Sequence, residues 1–542
     1  MADTRVDVTT ATGKTSEKNR TKAYFVGGGI ASLAGAAFMI RDGDILGPHI
    51  TILEDLDRLG GSLDGAGTAQ DGYVLRGGRM LESKYLCTFD LFASIPTLDE
   101  SRTVTKEIFD WNETMETSSS SRLVRDGERQ TAPDFGLSEK HILNIERLAL
   151  EPEGMLGRSS IAEQFDPEFF NTNFWFMWCT TFAFQPWHSA VEFKRYLVRF
   201  AHLVSGFNRL HGIMRTTYNQ YDSLVLPLRK WLEARGVRFE LNTRVTDLEF
   251  GERDGAKVVT RIACKRAGQA GEIQVEAGDL VLVTLGSMTD ASSLGSMDTA
   301  PVLNGKAEGS AWTLWETIAA DRPEFGRPAV FSDHIDESKW LSFTTTLRDP
   351  AFLRIVRDFT GNVPGEGGLV TFPQSRWLMS FVVPHQPHYI GQPEDVSVFW
   401  GYGLHVDAPG DFVAKPMSAC TGREIMTELM GHLRIGAEAG RILDTSTCIP
   451  CMMPFITSQF LRREKGDRPQ VVPEGWSNLA FTGQFCELPD DVVFTVEYSI
   501  RSAQAAVYAL LDLKRTPPPV YKGKYDPRVL YKAFLALHDM KA

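Results

Sequence analysis

Three consecutive glycines, Gly27 to Gly29, follow the apolar run Ala23 to Val26 and precede a stretch of helix formers from Ile30 to Asp42. A four-residue apolar run suits a short buried strand, and a glycine triplet punctuates either element rather than sitting inside it. The order is therefore strand, turn, helix, and His49 to Glu54 supplies a second strand. That is a βαβ unit. Gly27-Gly28-Gly29-Ile30-Ala31-Ser32 fits the dinucleotide turn G-x-G-x-x-G except at its last position, where the small Ser32 replaces glycine. Gly27 makes the tight turn, Gly29 lets a pyrophosphate approach the backbone, and the positive end of the helix faces the phosphates. Glu54, at the end of the next strand, is placed to accept both hydroxyls of a ribose. A glycine turn beside a surface glutamate, with no nucleotide, is the plain alternative.

Later segments repeat this character. Ser223 to Arg235 reads as a helix stopped by Gly236; strands follow at Val237 to Leu241, near Val258 to Ala263, and at Leu280 to Leu285, the last ending in Gly286-Ser287. A strand at Asn478 to Thr482 leads through Gly483 into a helix from Thr495 to Leu511. This C-terminal return, Gly483-Gln484 ahead of a helix start, brings amide donors to a flavin edge and favours FAD over NAD. Gly60-Gly61-Ser62 and Arg76-Gly77-Gly78-Arg79 add close backbone approaches and two guanidinium groups. The expected fold is α/β: an FAD-binding Rossmann-like domain of the two-dinucleotide-binding-domain class, an inserted α+β substrate domain, and a C-terminal helical segment. The cofactor domain is assigned to 21–118, 211–305 and 441–515, and substrate-binding regions to 119–210 and 306–440. Residues 1–20 read as a disordered tail, and 516–542 as a Pro-rich linker with an amphipathic helix.

At 542 residues the chain exceeds one hydrophobic core, and its formal net charge of −12, with no basic stripe, argues against a nucleic-acid partner. Seven scattered cysteines make no disulfide framework, and the polar N-terminus has no secretory signal; both point to the cytoplasm. The Cys448 to Cys451 pair lacks zinc-ligand company, so no metal site is expected. The C-terminal helix either caps the fold or touches a membrane surface transiently, and monomer and homodimer both stay open.

The segments GGGIASLAGAAFMIRDG, ITILEDLDRLGGSLDGAG, RGGRMLE, TTYNQYDSLVLPL, VTLGSMTD, PHQPHYIGQPEDVSVFWGYGL and GQFCELPDDVVFTVEYSIRSAQ closely resemble the oleate hydratase family, formerly the myosin-cross-reactive antigens. The resemblance runs from Lys22 to about Leu511. It implies FAD-dependent addition of water to the cis-9 double bond of oleate, giving 10-hydroxystearate with no net redox change. It assigns cofactor contacts to Gly27, Gly29, Ile30, Ala31, Ser32, Glu54 and Asp55, to Gly61 and Ser62, and to Arg76, Gly78, Arg79 and Met80. Further contacts fall on Val245, Gly286, Ser287, Gly483, Gln484 and Thr495.

The family's proton-donating tyrosine maps to Tyr196. Phe193, Tyr196, Leu197, Phe200 and Leu203 share one helical face, with Lys194, Arg195 and Arg199 largely opposite, so the phenol points into an apolar interior. It is either a core tyrosine bonded to backbone or an acid for an alkene carbon. Many members carry a water-orienting glutamate directly after RGGR; here Met80 stands there and the nearest carboxylate is Glu82, a candidate base or an ordinary surface charge. The family anchors the substrate carboxylate through the YNQY and QPH segments, which gives Tyr218, Gln220 and His388; Val382 and Pro384 replace a threonine and an asparagine, with His385 or Ser380 to compensate. The aromatic run from Phe169 to Trp187 suits an acyl tunnel or packing between domains. A redox flavoenzyme, such as a fatty-acid desaturase or isomerase, and a non-catalytic fatty-acid binder are the rival readings.

Overall fold

The computed structural model describes residues 20–540; the tail expected at 1–20 falls outside them except for Arg20. Strands β1 (Ala23–Val26), β2 (Ile50–Leu53), β3 (Arg238–Glu240), β4 (Leu280–Thr284) and β5 (Leu479–Thr482) form one five-stranded sheet in the order β5-β4-β1-β2-β3. Every pairing is parallel, with Ala23 opposite Leu280 on one side and Ile50 on the other. β1, β2 and β5 are buried at every residue, which is why they read as nearly unbroken apolar runs rather than alternating ones.

The helices around the sheets include α1 (Ile30–Arg41), α2 (Asn173–Phe182), α3 (Ala190–Arg199), α4 (Val496–Leu510) and α5 (Pro527–Leu537). α1 presses onto β1 at Gly35, where a Cβ would stand 2.5 Å from Phe25 Cε1. Ser32 fits without strain, its hydroxyl 3.4 Å from that of Thr284. The glycine that close helix-strand contact requires thus lies one turn beyond the turn motif. α4 packs across α1, with the Tyr508 hydroxyl donating to Asp42 Oδ2 at 2.8 Å.

A second sheet of eight strands joins both regions read as substrate-binding: Leu123–Arg125 pairs with Val370–Thr371, and Trp340–Leu347 lies between Ser397–Gly403 and Ser446–Met453. Ser446–Met453 belongs to this sheet although it falls within 441–515. Trp340–Leu347 is buried throughout, and its threonine hydroxyls hold a neighbouring hairpin. Leu75 N–H donates to Thr344 Oγ1 at 2.9 Å and Tyr73 N–H to Thr346 Oγ1 at 2.8 Å. These bonds seat the Gly72–Leu75 strand on the second sheet, so the segment from Arg76 onward starts at the edge of that sheet.

Most of the aromatic run packs as core, with Phe182 also on a cavity wall and Trp187 exposed. Trp178 stacks on Phe174, and Phe182 on Phe200, with centroids 5.3 Å apart in both pairs. Cys448 and Cys451 sit three apart on one strand, so their side chains leave opposite faces; all seven cysteines are free and buried. Among the described residues no helix is long and apolar enough to cross a membrane.

Candidate active site

Parallel sheets bind ligands beyond the carboxyl ends of their strands. Here β1, β2, β4 and β5 end in Gly27, Glu54, Gly286 and Gly483, all lining one crevice of about 1200 Å³, open mouth included. It adjoins a middle chamber of about 810 Å³, with which it shares Ile30, Ser62, Met288 and Gln484. The middle chamber in turn shares Gly78, Arg79, Met80, Gln220 and Phe494 with an outer chamber of about 1030 Å³. The three cavities form one series.

In the crevice the glycines do different work. Gly27 has a φ of +95° and makes the turn. A Cβ on Gly28 would meet Leu59 Cδ2 at 2.6 Å and Glu54 Oε2 at 2.8 Å, so the protein itself excludes a side chain there. Gly29 is different: the nearest atom to a Cβ would be Gly61 Cα at 3.9 Å, and as N-cap of α1 it offers no side chain to the first N–H groups of the helix. Space and donors are left for a ligand. Glu54 accepts from Gly28 N–H at 2.5 Å and Leu56 N–H at 2.8 Å; burial raises its pKa and these bonds oppose the rise. Asp55 pairs with Arg244 at 2.9 Å.

Ala31, Gly61, Arg76, Ser287 and Gln484 also line the crevice. Ser32, Val245 and Tyr218 line none of the three cavities. Val245 packs in a core cluster with Val26 and Leu53, and Arg244 takes its place at the crevice wall. Gln484 is wholly engaged: its Nε2 donates to Thr495 O at 2.9 Å and Ser499 Oγ at 2.8 Å, and its Oε1 accepts from Phe494 N–H. It braces the loop into α4, whose start at Thr495 and Val496 lines the middle chamber. Sequence reasoning missed Asp290, whose pKa burial pushes up to about 6 against bonds from the Ser310 and Ala311 N–H groups. The motif VTLGSMTD contained it; Ser310 and Ala311 carry no local signal.

Tyr196 lines the middle chamber at 1% exposure, and its hydroxyl donates to Val493 O at 2.6 Å. Burial raises its pKa far above the ordinary value, with Tyr85 and the carboxylates of Glu192 and Asp491 adding to the rise and Arg79 opposing it. The expected division of α3 into an apolar and a basic face does not put the bases in water. Arg195 meets Glu153 and Glu487, and Arg199 meets Glu82 at 2.9 Å, all through distant parts of the chain. Glu82 is likewise no surface charge: it is fully buried on a two-residue strand with Leu81, and His202 Nε2 stands 3.2 Å from it. Burial would raise its pKa, but the His202 hydrogen bond and the Arg199 charge outweigh that and lower it. Among the described residues Glu82 is the one carboxylate lining the middle chamber, and Met80 lines the middle and outer chambers.

Gln220, at 7% exposure, has no hydrogen-bond partner on either side-chain atom. It faces the middle and outer chambers, the latter walled by Leu75, Trp111, Trp340, Leu369 and Trp400. Asn219 donates to His388 O through its backbone and side chain at 2.9 and 3.0 Å, which brings Gln220 and His388 to one cavity. Burial, then the charges of Arg215 and His385, pull the His388 pKa down to about 3, so its ring is neutral.

The MCRA family model matches residues 20–508. Over 537 residues the chain is 40% identical to the oleate hydratase of Streptococcus pyogenes serotype M49 (strain NZ131), covering 96% of this chain and 90% of that protein. It is 33% identical to the linoleate hydratase of Lactiplantibacillus plantarum, over 96% of this chain and 99% of the relative. Among solved structures, cyclohexylamine oxidase from Brevibacterium oxydans IH-35A matches with a TM-score of 0.51 at 12% identity, over 91% of this chain and 100% of that one, a likeness of fold. With residues 20–508 matched by the family model, the chain belongs to the MCRA family.

Proposed function

We propose that this chain is an FAD-dependent fatty-acid hydratase, a carbon-oxygen hydro-lyase that adds water to the cis-9 double bond of oleate to give 10-hydroxystearate. The observation that carries the reading is the series of three adjoining cavities, with the Tyr196 phenol at the wall of the middle one. The 40% identity to an oleate hydratase supports the substrate class.

FAD fits the residues present. The open first turn of α1 beyond Gly29 would take the pyrophosphate, Glu54 the ribose, and the Ser62, Arg79 and Thr495 walls the ring system. Bound there, FAD would supply fixed polarity to the site with no net redox change. Tyr196 keeps its proton at neutral pH because burial disfavours the phenolate. In hydration the Tyr196 Oη–H bond breaks and its proton joins one alkene carbon. Water oxygen bonds the other carbon, and the proton that water releases restores the phenol. The charge of Arg79 favours the transient phenolate. Glu82, held ionised by Arg199 and His202, positions these groups rather than taking the proton of water.

Incubating the protein and FAD with oleate in ¹⁸O-labelled water tests this. One labelled hydroxyl at C10, with the flavin colour unchanged, is the expected result. A bleached flavin with an unlabelled product would instead mark a redox enzyme, and oleate bound but unaltered a binding protein.

A transient lipid contact forms part of the same reading. α5 packs Leu535 against residues 201–209 and leaves Leu530, Tyr531 and Phe534 exposed. Co-sedimentation with anionic vesicles should weaken when these three are replaced by serine; equal sedimentation of both proteins would exclude the contact.

A further inference from the structure

Most buried arginines here have an obvious counter-charge. Arg195, Arg199, Arg463, Arg468 and Arg501 each pair with carboxylates. Arg215, partly exposed at the chamber wall, does not: among the described residues no acid offsets its charge, and desolvation pulls the guanidinium pKa down to about 10. Its Nη1 reaches only Gly365 O, at 3.4 Å. Its backbone is nevertheless firmly placed. Its N–H donates to Asn112 Oδ1 at 2.9 Å, and its carbonyl accepts from Asn112 Nδ2 at 2.7 Å.

Arg215 lines the outer chamber together with Gln220, His385 and His388. Gln220 adds a buried amide with neither atom satisfied. A cation without a counter-ion beside an unpartnered amide is costly to hold in an apolar cavity unless a ligand completes it. Val382 and Pro384, in the same wall, bring no side-chain donor. Neutral His388 adds no charge, so the anion-attracting field of this chamber comes from Arg215 and from Arg79, and Arg79, unlike Arg215, has a carboxylate charge, that of Asp64, to offset it.

We propose that Arg215 is the principal anchor for the carboxylate of the fatty acid, its guanidinium fork taking the headgroup and the Gln220 amide completing the site. This rests on the fatty-acid reading above and deepens it by naming the specificity determinant. A guanidinium matches a carboxylate with two parallel N–H donors, which makes the chamber selective for free acids over alcohols and esters of the same chain.

The test compares oleate with oleyl alcohol, in wild type and in Arg215→Met and Arg215→Lys. In FAD-loaded protein, Arg215→Met should weaken equilibrium binding of oleate, and raise its KM, by about 10- to 100-fold, with kcat changed far less. Oleyl alcohol should bind wild type and variant alike, and the visible flavin spectrum should not change. Arg215→Lys, which keeps the charge and loses the fork, should fall between, and it stands in if the Met variant does not fold. Oleate binding unchanged in either variant would overturn the proposal. Failure of wild type to hydrate oleate would instead strike the hydratase reading, and the binding comparison would still decide the role of Arg215.

Discussion

The Tyr196 hydroxyl donates to the Val493 carbonyl at 2.6 Å, so the loop that leads into α4 holds this phenol proton at the wall of the middle chamber, which Tyr85 also lines. In the proposed hydration, delivering that proton to an alkene would cost this hydrogen bond. Tyr196→Phe removes the proton while keeping the ring that packs against Phe182, Phe184 and Phe200. The variant is expected to take up FAD as wild type does, to lose about 1 kcal/mol of stability, and to drop in kcat by about 10²- to 10⁴-fold. Turnover within threefold of wild type, in flavin-loaded protein, would remove Tyr196 from the mechanism.

Gly28 and Gly29 separate folding from cofactor binding. A methyl group at Gly28 collides with Leu59 and Glu54, whereas one at Gly29 meets no protein atom closer than 3.9 Å. Gly29 also has a φ of −76°, open to any residue. Gly28→Ala should therefore lower stability by roughly 1–3 kcal/mol, as overpacking does. Gly29→Ala should leave thermal unfolding of the flavin-free protein nearly unchanged and raise the Kd for FAD at least about tenfold, because the methyl enters the pyrophosphate space. Unchanged FAD affinity in Gly29→Ala would move the phosphates elsewhere.

Glu82 and Arg199 are each about 1% exposed and 2.9 Å apart, so removing one charge leaves the other buried. Glu82→Gln is expected to cost on the order of 3 kcal/mol in denaturant unfolding. If Glu82 positions Arg199 and His202, the flavin-saturated variant should lose less than about tenfold in kcat; a general base would cost about 10²-fold or more. Because the Glu82 pKa is lowered, its ion pair contributes stability above the ordinary carboxylate range and loses it as pH falls through the folded value. A Glu82→Gln enzyme as stable as wild type but inactive would restore Glu82 as the base.

Local signals and long-range ones were unequally legible. The four strands that flank the crevice and the helices α1 and α4 were readable because apolar runs, glycine turns and caps are written over a few adjacent residues. The catalytic candidates were readable as residue types in motifs, but not their surroundings. Arg199 looks like a solvent-facing base on a helix, and only folding brings Glu82 and Asp491 to it from more than a hundred residues away in each direction. The aromatic run looked equally like tunnel or core, since periodicity reports burial and not what lies on the far side. The outer chamber draws its wall from Leu75, Trp111, Thr180, Arg215, Leu369 and Trp400, which share no spacing.

Glu192 offers a last test of how much the buried charge network contributes. Its Oε1 lies 2.7 Å from Arg463 Nε and 3.0 Å from Arg468 Nη1, all three within the protein interior. Burial alone would raise the pKa, but Arg468, Arg463 and Arg195 together bring it down from 4.5 to about 2. A depressed acid stabilises the fold fully above its unfolded value and progressively less as pH drops toward the folded one. The contribution is thus complete above roughly pH 5, on the order of 3 kcal/mol, and fades between pH 4.5 and 2. Glu192→Gln should be less stable than wild type by about that amount at pH 7, with the gap narrowed by about 1 kcal/mol at pH 3.5, as read from urea unfolding at both values. A gap of the same size at pH 7 and pH 3.5 would mean that Glu192 stabilises through its shape and hydrogen bonds, and that its charge is not what the three arginines hold.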